Sequence, residues 1–461
     1  MKKRFYISVM LMLILAWPAY TQAQKKTSVK KENSWYGNPK PKQTDTRKVI
    51  AKGMKLGVWF QTRFVSTQQD NPFLATTGQS FKTDGNINNV YVRRLRLLLA
   101  GKFYGSWKYV VHIAAGPVGR YETPNKTLRL LDALVAYTKY KQATLLLGRV
   151  KVFYSRPFSD RLPFWKNAIF PMAERTTLLG LAGTYKDLYP STAIKAIGGS
   201  NNKPALKGIP LKFAYRIDQN PGGRAVGALL KGEIFKGYFD YKVGLYNAWR
   251  DGLRSTTGYG APGYLKLIQI NFNPWRNTNT SLLGYQGNYF GRGKHLSIGG
   301  TWYTQNNVIE GKGLNGTYDT RHNTTGYTLD LAGNYHHFSF AAEYMDVKNN
   351  KIDILSTTTG FLPTGKYPDM ELKTWWVQAA YLLPVKIGPG TPQFAVLYEH
   401  YNPDAQHNYN MDEINLTHFT LNYYLHDRFA RFTLEYVLNN EKNNPHSSNQ
   451  FIAQFAMALW K

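Results

Sequence analysis

Three arginines stand in a stretch otherwise fit for burial, "NVYVRRLRLLLAGKFYGSWKYVVHIAAG": Arg93, Arg94 and Arg96 lie among Val90, Val92, Leu95, Leu97, Leu98 and Leu99. A guanidinium presents a rigid fork of donors that matches phosphate and carboxylate oxygens. Buried without a partner it is costly, so one face of this stretch must be wet. The chemistry on offer is attraction and passage of small anions. Further bases fall on the polar side of alternating segments: Arg63, Lys108, Lys212, Arg216, Lys242 and Arg431. Lys151, Arg156, Arg161 and Lys166 lie in a stretch rich in Pro and aromatics, residues 151–190. An alternative for each base is a bracing pair with Asp132, Asp218, Asp240, Asp330, Glu343 or Glu435.

Enzyme chemistry finds little support. "GKGLNG" (Gly311 to Gly316) spells G-x-G-x-x-G, but "TYDTRHNTTG" follows where a phosphate-binding turn needs a helix. His336 and His337 adjoin and are expected on opposite faces of one strand, unsuited to a shared metal. No G-x-S-x-G elbow occurs. A hydrolase built on the outer wall of a barrel stays open as a minor alternative. No cofactor is implied.

The elements that must position these bases are strands. "LGVWFQTRFV" sets Leu56, Val58, Phe60, Thr62 and Phe64 against Gly57, Trp59, Gln61 and Arg63. "LKFAYRID" (211–218), "YTLDLAG", "HFSFAAEY" and "ARFTLEYV" alternate in the same way. Period 2 gives a strand one apolar and one polar face. Between 16 and 18 such segments fill one continuous domain, and the fold expected is an all-β transmembrane antiparallel barrel of about 16 strands, with 18 as the alternative. Tight turns are expected at "GSW" after Tyr104, at "HHF" and at "LHDRF". Longer breaks are expected near 70–88, 151–190, 305–323, 350–370 and 402–412. Short turns alternating with long loops are the pattern of an outer-membrane barrel. If Leu95, Leu97 and Leu99 face lipid, Arg94 and Arg96 face the lumen, joined from the next strand by Lys108 and His112. Arg93 then falls on the outer face, near the rim.

The chain opens "MKKRFYISVMLMLILAWPAYTQAQ": a basic start, a short apolar core and small residues before a cut after Ala23. Residues 1–23 read as a secretory signal peptide, 24–50 as a basic flexible periplasmic tail and 51–461 as the barrel. No later stretch has 18 consecutive apolar residues, so a helical span is excluded. Aromatic residues make up 15% of the chain, enough for the lipid face and the two girdles a barrel needs. Cysteine is absent, which excludes disulfides and thiolate metal sites. The formal charge of +30 implies anionic partners. Export argues against nucleic acid and for small anions such as phosphate, or for outer-membrane lipid.

At these residues the chain resembles the phosphate-selective porin O and P family of bacterial outer membranes. The resemblance rests on "VYVRRLRLLLAGKFYGSWKY", then on "LRLLDALVAYTKYKQATLLLGRVKVFYSRPFS" and "WKNAIFPMAER", over residues 89–175. It implies a 16-stranded barrel, usually trimeric, with a loop folded into the pore and an Arg/Lys path for anions. Arg93 and Arg94 match the family's paired arginines near the constriction, Gly148 and Arg149 its strand end, and Glu174 and Arg175 the pair on which the loop closes. Residues 151–190 would be the inward constriction loop, longer here than the family's usual form. The last residues, "QFAMALWK", end on Lys461 where a terminal aromatic is expected. Two classes of function remain: an outer-membrane porin for small anions, and a structural or assembly barrel of a surface or secretion complex without transport.

Overall fold

The computed structural model describes residues 54–69, 85–115, 128–156, 224–247, 263–275, 282, 290–291, 293–310, 318–357, 365–402, 413–426, 429–441 and 449–460. The expected signal peptide and basic tail lie outside them. So do Arg161, Lys166, Glu174, Arg175, Lys212, Arg216 and the strand expected at 211–218.

The first strands are β1 (Lys55–Gln69), β2 (Gly85–Tyr104), β3 (Trp107–Ala115), β4 (Arg129–Tyr140), β5 (Ala143–Lys151) and β6 (Arg224–Ile234). They are followed by β7 (Phe239–Tyr246), β8 (Leu265–Phe272), β9 (Lys294–Glu310), β10 (Tyr318–Tyr335) and β11 (Phe338–Thr357). The last are β12 (Gly365–Tyr367), β13 (Met370–Leu382), β14 (Thr391–Asn402), β15 (Ile414–His426), β16 (Ala430–Glu441) and β17 (Gln450–Trp460). Strands that follow one another pair antiparallel, except β12 and β13, and β1 pairs with both β2 and β17. The sheet is therefore closed. Both β12 and β13 pair with β11, one continuing the other across Pro368 and Asp369. A proline has no N–H for the ladder, which accounts for the break. Counting that pair as one position, the wall has sixteen strands.

Closure leaves no sheet edge, so the backbone polar groups of the wall are satisfied by neighbouring strands. The side chains are distributed opposite to a soluble protein. In β8, Leu265, Leu267, Gln269 and Asn271 are buried, while Ile268, Ile270 and Phe272 are exposed. In β16, Arg431, Thr433 and Glu435 are buried and Phe432, Leu434 and Tyr436 are exposed. Polar groups line the inside and apolar groups the outside, as an interior of water and an exterior of hydrocarbon demand. Among the described residues no helix is long and apolar enough to cross a membrane.

Expected tight turns occur at residues 105–106, between β2 and β3, and at 336–337, between β10 and β11. The third joins β15 to β16, where the Phe429 N–H donates to the His426 carbonyl at 2.9 Å. They lie at one end of the barrel, together with the start of β1 and the end of β17, where Gly57 faces Trp460. Two expectations need correction. The breaks near 305–323 and 350–370 are mostly strand: β9 runs to Glu310, β10 starts at Tyr318 and β11 continues to Thr357. Asn- and Thr-rich sequence there forms ladders in which polar residues occupy both faces, so the apolar/polar alternation of the sequence is lost. His336 and His337 are the turn itself, His336 with φ 50°, rather than two faces of a strand.

Candidate functional site

The arginine strand owes its arrangement to a bulge. Gln61 of β1 faces Arg94 of β2, but Thr62 faces Val92, so Arg93 is an extra residue in β2. A bulge of this kind turns two successive side chains toward one side. Arg93, expected on the outer face, is accordingly buried at 5% exposure, and Tyr91, Arg93, Arg94 and Arg96 all stand on the interior side. Arg63 faces Tyr91 across the ladder and reaches the other way: its Nη2 and Nε donate to Gln454 Oε1 of β17 at 2.7 and 3.3 Å. Beneath the arginines Trp59 is buried, with the Arg96 and Arg94 guanidinium carbons 4.7 and 5.7 Å from its ring. Cation–π contact with a locked indole fixes the height of both guanidiniums.

The same register carries the basic surface to the short-turn mouth. Lys55 faces Ala100, Lys102 faces Lys108, and all four share the interior parity of Arg96. On the other flank Arg129 follows in register from Arg96 through Ala114. Strands β1, β2 and β3 together hold seven Lys and Arg and not one Asp or Glu. All seven are on the interior side.

Next to this arc lies a compact ionic cluster. A second irregularity sets His112 opposite Asp132 but Ile113 opposite Leu130. His112 Nδ1 is 2.7 Å from Asp132 Oδ2, and Arg224 at the start of β6 donates from Nε to Asp132 Oδ1 at 3.0 Å. All three are buried. Two partners on one carboxylate tie β3, β4 and β6 together.

After β5 the chain turns into the barrel. Gly148 has φ 117°, and a Cβ there would lie 2.3 Å from the Ala133 carbonyl oxygen, so only glycine fits. Arg149 then donates from Nε to the Leu131 carbonyl at 3.1 Å. Val152, Phe153, Tyr154, Ser155 and Arg156 are all buried, and Tyr154 and Arg156 reach β9, β10 and β11 rather than the strands beside β5. Thr328 of β10 donates to the Tyr154 carbonyl at 3.3 Å, and the Tyr154 ring meets the edge of Tyr303 of β9 at 6.2 Å. Lys242 of β7 lies 5.0 Å from the Phe153 ring centroid. Arg156 Nη1 is 3.2 Å from Asp330 Oδ1 and 3.3 Å from Ser297 Oγ, while its backbone N–H donates to Glu343 of β11. Glu343 also accepts from Trp376 Nε1 at 3.3 Å. The first residues of the 151–190 stretch thus lie inside the barrel; those from 157 on are outside the described residues.

Lys242, Arg431 and His418 are engaged with acids, amides or rings. Lys242 lies 3.7 Å from Asp240 Oδ1 and donates to Gln269, and Asp240 accepts from Asn271 and Asn273 at 2.8 and 2.9 Å. Arg431 lies over Tyr424, 5.9 Å from the ring centroid. His418 sits between Glu399 and Glu435, at 3.0 and 2.7 Å, with all three buried in the wall of β14, β15 and β16. Of the bases singled out in the sequence, the fold brings Arg63, Arg93, Arg94, Arg96 and Lys108 onto one arc and sets Lys242 and Arg156 in networks elsewhere. Lys151 is buried at the end of β5, facing Arg224. Lys55, Lys102, Arg129 and Arg224 were missed. Alternation alone would have found Lys102, six residues beyond Arg96. Arg224 is hidden because "NPGGRAVG" reads as a turn.

The model of the family described as phosphate-selective porin O and P matches residues 76–160. Those residues contain the arginine strand, the strand end at Gly148 and the buried segment after it. A comparison with curated proteins finds no match. Among solved structures, the chain is similar to an anion-selective porin from Comamonas acidovorans at 13% identity and a TM-score of 0.47, covering 88% of this chain and 99% of that one. OprD from Pseudomonas aeruginosa is 12% identical with a TM-score of 0.39, over 88% and 94%. OmpT of Vibrio cholerae, in its trimer form, is 10% identical with a TM-score of 0.42, over 88% and 99%. The match over the arginine strand, the closed sixteen-strand wall and its apolar exterior lead to one conclusion: the chain is an outer-membrane β-barrel of porin type, and phosphate-selective porin O and P is the family its residues 76–160 match.

Proposed function

We propose that this porin passes small anions, phosphate or related oxyanions among them, through a lumen whose selectivity resides on β1, β2 and β3. The observation that carries the reading is the arc of seven basic residues without an acid, all on the interior side of three adjacent strands. Across about 4 Å and at an effective dielectric near 20, one such charge attracts an anion by about 4 kcal/mol before desolvation. Several moderate sites in sequence let an ion enter and leave, where one deep site would trap it. Arginines recognise oxyanions by paired donors; the lysines at the mouth act as mobile point charges.

Lys242 and Arg156 serve the wall and the inserted segment, in keeping with their acidic neighbours. Arg161, Lys166, Lys212 and Arg216 are proposed to add to the path from the stretches that carry them, and residues 151–190 to form the constriction. A homotrimer is proposed from the family resemblance, and surrounding outer-membrane lipid from the apolar exterior. The signal peptide at 1–23 and the basic tail at 24–50 complete the reading.

The test is conductance of the purified barrel in a planar bilayer. Chloride current should fall in a saturable way when phosphate is added, because both anions compete for the same arginines. A barrel that carries no current favours the structural or assembly role; a current indifferent to phosphate removes oxyanion preference and leaves general anion passage.

A further inference from the structure

Among the described residues, the charged side chains on the outer side of the short-turn rim are all lysines. Lys139 at the end of β4, Lys141 between β4 and β5, Lys236 between β6 and β7, Lys294 at the start of β9 and Lys386 between β13 and β14 are all exposed. No Asp or Glu among the described residues stands with them: Glu233 and Asp240, the acids nearest in sequence, share the interior parity of Leu229 and Lys242. The opposite rim differs. Among the described residues there, acids stand with bases and pair with them, Arg321 with Asp353 at 2.9 Å and Lys373 with Glu371 at 3.4 Å.

The lysines stand beside exposed apolar groups. Lys139 lies 5.3 Å from the ring centroid of Tyr140 and Lys294 4.6 Å from that of Tyr335. Lys236 follows Phe235, which is 71% exposed, and Lys386 lies between Val385 and Ile387. The turn bearing Phe235 and Lys236 is strained, because both hold positive φ, 50° and 57°, where neither has the freedom of glycine. A strained turn that ends in an exposed Phe and Lys gains nothing inside the barrel. It suits a boundary where the ring enters hydrocarbon and the ammonium stays at headgroup depth.

We infer that this rim binds the headgroups of anionic glycerophospholipids in the leaflet on the short-turn side. The cations are spread around the wall, each at the edge of the apolar band, rather than gathered into one patch. A protein partner would need a continuous surface; single lipids need one cation and one apolar neighbour each. The interaction is independent of which solutes cross the lumen, and it rests on the membrane location alone.

The test uses the purified full chain in detergent micelles with phosphatidylglycerol or phosphatidylcholine added, and native mass spectrometry to count retained lipid. Phosphatidylglycerol should be retained several-fold better. A variant carrying K139Q, K236Q, K294Q and K386Q should lose that preference, by about fivefold for each lysine that holds a headgroup. A control with K266Q, K351Q and K366Q toward the opposite rim should keep it. All substitutions lie at exposed positions, and the double variant K236Q/K386Q, confined to turns, repeats the test should the larger variant misfold. Equal retention of the two lipids by the parent would overturn the inference, and so would an unchanged preference in the rim variants.

Discussion

Arg156 Nη1 and Asp330 Oδ1 meet at 3.2 Å across the interior of the barrel, joining the segment after β5 to β10, 174 residues further along the chain. Both side chains are buried, so removing either one takes the nearest countercharge from the other. The pair explains why the segment lies against the far wall rather than outside.

Replacing Arg156 by Ala should release that contact and widen the lumen. The expected outcome is a higher single-channel conductance with the wall intact, since no ladder hydrogen bond is removed. Unchanged conductance would show that the segment stays in place through its aromatic contacts with Tyr303 and Lys242.

Asp132 offers a test of the ionic cluster. Its carboxylate serves both His112 and Arg224, so Asp132→Ala removes the negative charge from beside the buried Arg224 guanidinium. The loss in stability should be about 3–5 kcal/mol, measured by urea unfolding in lipid vesicles. Combining Asp132→Ala with Arg224→Met should cost less than Asp132→Ala alone, because the stranded charge is gone. A double variant as unstable as the sum of the two singles would refute the coupling.

The wall itself predicts an asymmetry between neighbouring positions. Leu329 is 59% exposed on the outer face of β10, whereas Thr328 is buried on the inner face. Leu329→Arg should cost about 2–4 kcal/mol if it lies near the bilayer midplane. The same urea titration checks this, and a loss near zero would place Leu329 outside the hydrocarbon.

Much of this was legible in the alternation. Leu56 to Phe64, Tyr327 to Leu331 and Ala430 to Val437 each sort into an outer and an inner face as their sequence pattern implies, because water and hydrocarbon on opposite sides of one sheet leave a period of two. Arg93 was not legible. A bulge adds one residue without changing composition, and only the register against Gln61 and Thr62 reveals that both members of the Arg-Arg pair turn inward. Strand ends at Glu310 and Tyr318 were hidden for a different reason: polar residues occupy both faces there, so the period disappears from the sequence while the ladder continues. The contact of Arg156 with Asp330 is a long-range meeting that no local pattern encodes.

The central claim is that anion preference comes from the interior arc on β1, β2 and β3, and the reversal potential of the purified channel in a potassium chloride gradient tests it most directly. The parent should show the sign of a chloride-preferring pore. Replacing both Arg94 and Arg96 by Glu moves the local charge from two positive to two negative units beside Trp59, on side chains that stand inside a closed wall whose ladder they do not support. The account predicts that the potential falls to zero or changes sign in the folded double variant. A potential that keeps the parent's sign and size in that variant would contradict it and place selectivity elsewhere in the barrel.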